Sequence, residues 1–184
     1  MKNILLLALI LFLTPAMLFP KEPPEVKIIR EWYHKVQKMI EAKDGIIVSE
    51  WNANKTGADF PMIGTMMGKA MFYWSAEVKD GTIATALYKI TVEKNMGDYK
   101  GYQEFLYDTG GNILFIMDRW RNGGDLQDYR IYFKNGKPFY VTQTYEKTQK
   151  VYEYFAVPEV YAPEFSMTLG DANNLKEFFL VRPF

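Results

Sequence analysis

Tyr102-Gln103-Glu104-Phe105-Leu106-Tyr107-Asp108-Thr109-Gly110-Gly111-Asn112-Ile113-Leu114-Phe115 (residues 102–115) is the stretch that decides the fold. Two β-rich runs flank Asp108-Thr109-Gly110-Gly111, a composition suited to a type I turn followed by a glycine bulge, so the chain doubles back as a hairpin. The same grammar extends downstream. Tyr129, Ile131 and Phe133 alternate with Arg130, Tyr132 and Lys134; then Asn135-Gly136, the strongest hairpin signal in the chain, precedes a return run over 139–145. Upstream, Asp80-Gly81 joins an alternating run through Ala70, Phe72, Trp74, Ala76 and Val78 to a β-rich run over 83–92. Residues 97–101 and Asn122-Gly123-Gly124 mark further turns, and 46–51 reads as a first strand ahead of a polar loop over 52–64. Connections this short exclude a parallel sheet, whose crossovers need a dozen or more residues. The expectation is an antiparallel β-meander of five to seven strands.

Before the sheet, residues 25–42 carry Val26, Ile29, Tyr33, Val36 and Ile40 at alternating steps of three and four, widened by Trp32 and Met39. That spacing makes one apolar helical stripe, with Lys27, Arg30, Glu31, His34, Lys38 and Glu41 opposite. Lys43-Asp44-Gly45 ends the helix, with Gly45 expected as its left-handed cap. The stripe needs a surface, and the meander supplies one. After the sheet, 151–155 suits a last strand, Pro158 and Pro163 suggest a loop, and Asp171 stands where it would cap a short helix over 171–179. The fold class is therefore α+β: an N-terminal amphipathic helix on an antiparallel meander, with a short C-terminal helix.

The chain starts with Lys2, an apolar run over 4–13 and Thr14-Pro15-Ala16, the pattern of a signal peptide cut after Ala16. The expected organisation is a signal peptide at 1–16, an extended Pro-containing spacer at 17–24 and a single α+β domain at 25–184. The destination is then periplasmic or extracellular. If the segment stays uncut, it is the expected membrane contact. Lys plus Arg number 22 and Asp plus Glu 22, so no net field draws the chain to nucleic acid. The chain has no Cys and one His, which excludes disulfides, thiolate chemistry and multi-histidine metal sites.

Chemistry has few candidates left. His34 lies on the charged side of the helix and has no nucleophile motif to serve. Carboxylates remain. Pairing Asp108 with Asn112 sets Tyr107 against Ile113, Leu106 against Leu114, Glu104 against Ile116 and Tyr102 against Asp118. That register places Tyr102, Glu104, Asp118 and Trp120 on one face, a polar patch walled by aromatics and suited to a sugar or another small polar ligand. Alternating polar residues are also what an antiparallel strand shows to water. Asp125-Leu126-Gln127-Asp128 lacks calcium-loop spacing, and neither glycine pair opens a helix to cradle phosphate, so no cofactor or metal is expected. Asn54-Lys55-Thr56 is formally a glycosylation triplet, and Met62, Met66, Met67 and Met71 form a cluster able to line an adaptable apolar surface. Aromatics are abundant, with 13 Phe, 13 Tyr and 4 Trp, as suits both strands and ligand clefts.

The helix Ile29-Arg30-Glu31-Trp32-Tyr33-His34-Lys35-Val36, with the 102–108 run, Gly111-Asn112-Ile113-Leu114-Phe115 and the 129–137 hairpin, resembles a group of uncharacterised exported bacterial proteins. These share hairpins of the EFLYD-x-x-G and Y-x-F-x-N-G-K kind. The resemblance implies an exported helix-plus-sheet domain and carries no activity with it. The resulting expectation is a non-catalytic binding module of the cell envelope, taking a small or extended ligand or a protein partner. The alternatives are a carbohydrate-active enzyme using Glu104 and Asp118, and a structural or assembly protein pairing through a sheet edge.

Overall fold

Pro24, whose fixed φ and missing N–H suit the first helical position, opens helix α1 (Pro24–Ala42) in the computed structural model, which describes residues 22–60, 64–96, 99–122 and 125–181. The signal peptide expected over 1–16 lies outside the described residues. Val26, Ile29 and Val36 of the predicted stripe are buried. The left-handed position closing the helix falls on Lys43 (φ 54°) rather than Gly45, and the Lys43 and Asp44 amides bond back to Ile40 and Met39.

Among the described residues nine strands follow: β1 (Ile47–Ala53), β2 (Asp59–Phe60), β3 (Gly64–Lys79), β4 (Thr82–Met96), β5 (Tyr99–Tyr107), β6 (Ile113–Asn122), β7 (Asp125–Lys134), β8 (Lys137–Tyr145) and β9 (Lys150–Tyr154). All pairings are antiparallel, in the order β1-β3-β4-β5-β6-β7-β8-β9, with β2 attached to β3. The α+β class holds, but the expectation of five to seven strands is too low. Eight strands form the continuous path. The excess lies at the margins: the edge runs read over 46–51 and 151–155 both pair as β1 and β9, and β2, two residues long, falls within the stretch expected as a loop.

The hairpins follow their turn residues. Asp80-Gly81 and Asn135-Gly136 both take positive φ at two successive positions, as a twist-matched two-residue turn requires. At the Asp108 turn, the carboxylate accepts from the Gly110 and Asn112 amides at 2.9 and 2.8 Å, and Gly111 takes φ 77°.

The C-terminal helix α2 (Ala162–Val181) is also longer than expected, at 20 residues, and follows a 3₁₀ turn at Glu159–Tyr161. Pro163 does not mark a loop. It sits in the first turn of α2, where its missing N–H breaks no helical bond. Asp171 consequently lies mid-helix instead of capping, and it pairs with Lys94 at 2.6 Å.

The two helices cover opposite faces of the sheet. Under α1, Val26, Ile29 and Val36 meet Leu106, Phe115, Met117, Tyr132 and Tyr140. Under α2, Ala172 and Phe179 meet a larger core that includes Phe72, Trp74, Phe105, Tyr107, Ile116 and Phe133. Phe179 stacks on Phe72 at 5.7 Å and meets Trp74 edge-on at 5.6 Å. Among the described residues, no helix is long and apolar enough to cross a membrane.

Candidate functional site

The β5–β6 register governs the site. Tyr107 pairs with Ile113 as expected, but a bulge next to it sets Leu106 opposite Phe115 and leaves Leu114 as the extra residue. Every pair beyond slips by one: Glu104 faces Met117, Gln103 faces Asp118 and Tyr102 faces Arg119. A one-residue slip exchanges the faces of a strand. Tyr102 and Glu104 therefore point to the α1 side, while Asp118 and Trp120 point to the α2 side. The single four-residue patch does not form, and a hydrolytic pair of Glu104 and Asp118 cannot straddle one glycosidic bond across a sheet.

On the α1 side, Glu104 is part of a closed ionic cluster. Its carboxylate meets Lys89 Nζ at 2.9 Å and accepts from the Tyr33 and Tyr102 hydroxyls at 2.8 and 2.6 Å. Lys89 also lies 4.7 Å from the Tyr33 ring centroid and donates to Gln37 Oε1 at 3.3 Å. Burial, then hydrogen bonding to Glu104, pushes the Tyr33 and Tyr102 phenols well above their ordinary range, so both stay protonated as donors. Both oxygens of Glu104 are thus engaged within the fold. Nearby, Arg119 and Arg130 share the Asp128 carboxylate at 2.8 and 3.0 Å, and together with exposed His34 they border a hollow of about 280 Å³ on this side.

A hollow of about 310 Å³ lies between the start of α2 and strands β6–β8, within the ordinary size range of small-molecule sites. Trp120, Tyr129, Tyr145, Tyr161 and Phe165 line it, together with Asp118, Gln127, Glu164 and Thr168. Beside it stands a buried polar cluster. The Gln143 amide, fully inaccessible, donates to the Tyr145 hydroxyl at 2.7 Å and to that of Tyr129, while Tyr154 donates to Gln143 Oε1 at 3.4 Å. Burial first, then the neighbouring phenols of Tyr161 and Tyr145, pushes the Tyr129 phenol far upward. Asp118 receives hydrogen bonds from Thr168 Oγ1 at 2.8 Å and Gln103 Nε2 at 3.3 Å. Burial raises its carboxyl above the usual range; the Thr168 and Gln103 bonds and the charge of Lys94 offset part of that rise, and Asp171 adds to it.

A second, shallower hollow of about 590 Å³ flanks the other half of α2, lined by Trp51, Met66, Met67, Met96 and Phe178 among others. Two members of the methionine cluster thus meet at a surface depression; Met62 lies outside the described residues. The Asn54 triplet has a structural use, since its amide donates to the Ala58 and Met66 carbonyls at 2.8 and 2.7 Å. Among the described residues, no group of three or more acidic or histidine side chains is arranged to hold a metal ion.

Of the four residues singled out in the sequence, Asp118 and Trp120 line the 310 Å³ hollow, and Tyr102 and Glu104 belong to the ionic cluster behind the sheet. Tyr129, Tyr145, Tyr161, Phe165 and Thr168 were not foreseen. The last three sit on the 3₁₀ turn and first half of α2, where the apparent loop signal of Pro158 and Pro163 concealed a helix. Comparison of the chain with protein-family models, curated proteins and solved structures returns no match in any of the three.

Proposed function

We propose that this protein is a non-catalytic binding module of the cell envelope that takes a small ligand into the aromatic hollow beneath the start of α2. The observation that carries the reading is the hollow itself: about 310 Å³ bounded by five aromatic rings and a few polar groups at defined positions. Aromatic rings supply large contact area with little rotamer freedom to lose. Its location in the envelope rests on the N-terminal sequence, whose basic start, apolar run and small residues suit export.

Native mass spectrometry of the protein recovered from its own host tests this. The intact wild-type chain is expected to carry extra mass that disappears on denaturation. Val157→Trp, which fills the hollow from its lining, is expected to run at its bare mass. A bare wild type, or equal loading of both proteins, contradicts the reading.

A further inference from the structure

The charges around the hollow are one-sided. Asp118 and Glu164 line it, and among the described residues its lining includes no Lys, Arg or His. Lys94, whose charge reaches Asp118, is held by Asp171 at 2.6 Å. Arg119 and Arg130 lie behind the sheet on Asp128. Asp118 is thus a largely buried carboxylate whose two hydrogen-bond donors, Thr168 and Gln103, are both neutral and both reach Oδ2. A carboxylate taken out of water without a cation is poorly compensated.

A second observation points the same way. Gln103 is 6% exposed, and its Oε1 is buried with no hydrogen-bond partner. Turning the amide over gives no relief, because the oxygen would then face the Asp118 carboxylate. The Asp118 corner therefore has acceptors in excess of donors. The Tyr129 hydroxyl does not supply the difference, since its proton goes to Gln127 Oε1 at 3.3 Å. The rings around the hollow suit a cationic guest, because the faces of Trp and Tyr attract positive charge.

We infer that the hollow selects a small organic cation, an alkylammonium group placed against Asp118 with its apolar substituents among Trp120, Tyr129 and Tyr161. This rests on the pocket reading above and names the ligand class for that same site. The cation supplies the missing counter-charge, and where the nitrogen bears hydrogens it also supplies donors. Glu164 at the rim adds to the negative field.

Isothermal titration of the full chain with choline and with its uncharged isostere 3,3-dimethylbutan-1-ol tests the inference. Choline is expected to bind at least about tenfold more tightly than the alcohol. Asp118→Asn is expected to remove most of that preference while leaving the affinity for the alcohol within about twofold. The alcohol serves here as the control for an intact pocket. Trp120→Ala is expected to weaken both ligands. Equal affinity for the two ligands overturns the cation inference and leaves the pocket reading standing. Choline binding that neither substitution changes places the site elsewhere and overturns the inference. No binding of either ligand overturns both.

Discussion

Glu104 and Lys89 meet beneath α1 with only 6% and 5% of their side chains exposed, each charge facing the other inside the fold. Removing one partner of such a pair leaves an uncompensated charge, whereas replacing both with apolar groups is often tolerated. Glu104→Gln is therefore expected to destabilise the protein by about 3–5 kcal/mol in urea unfolding. The double variant Lys89→Met/Glu104→Leu should recover most of that loss; a double variant as unstable as the single one would refute the pair as the cause. Asp118 has the opposite character. Its raised folded-state pKa means that protonation favours the folded state, so the stability linked to this group is present below the unfolded carboxyl pKa and is lost as pH rises through the folded value. Asp118→Asn should accordingly unfold at higher urea than wild type at neutral pH, with the difference shrinking in acid. A gap that widens in acid would contradict the burial argument. Neither role was legible in the sequence. The bulge at Leu114 exchanges the face of every β6 residue beyond it relative to β5, and no turn residue announces it.

Local chemistry determined some elements openly and concealed others. The α1 stripe and the Asp80-Gly81 and Asn135-Gly136 hairpins were readable because their signals are local: a 3.6-residue period in one case, and residues able to adopt positive φ in the other. Of helix α2, only the second half, over 171–179, was readable. Its apolar residues are distributed around its circumference, so that Phe179 is buried while Met167, Leu180 and Val181 are exposed. Its Pro163 and Gly170 also resemble loop punctuation. What holds α2 is tertiary packing, above all Phe179 against Phe72 and Trp74. Phe179→Ala is expected to cost about 3–5 kcal/mol, while Leu180→Ala, one residue on and 49% exposed, should stay within about 0.5 kcal/mol. Similar losses for the two would mean that α2 does not seat on the sheet by this face.

At the scale of the molecule, both faces of an antiparallel sheet are covered. A strand in such a sheet usually shows one face to water, and that rule supplied the alternative reading of Tyr102, Glu104, Asp118 and Trp120 as a solvated face. Here Gln103 through Tyr107 of β5 are buried without interruption. The two sides nevertheless differ in kind. At Lys89 and Glu104 the α1 side is packed and charge-neutralised; the α2 side has a hollow at Asp118, whose neighbour Gln103 leaves its Oε1 unpaired. The central claim is that ligand occupies the α2 side. Hydrogen exchange tests it most directly, comparing the protein as isolated from its own host with the same protein stripped by unfolding and refolded. The account predicts that stripping lowers protection around 127–131, 141–145 and 157–168 and leaves α1 unchanged. Identical protection throughout, or a loss confined to α1 and the strands beneath it, would contradict it.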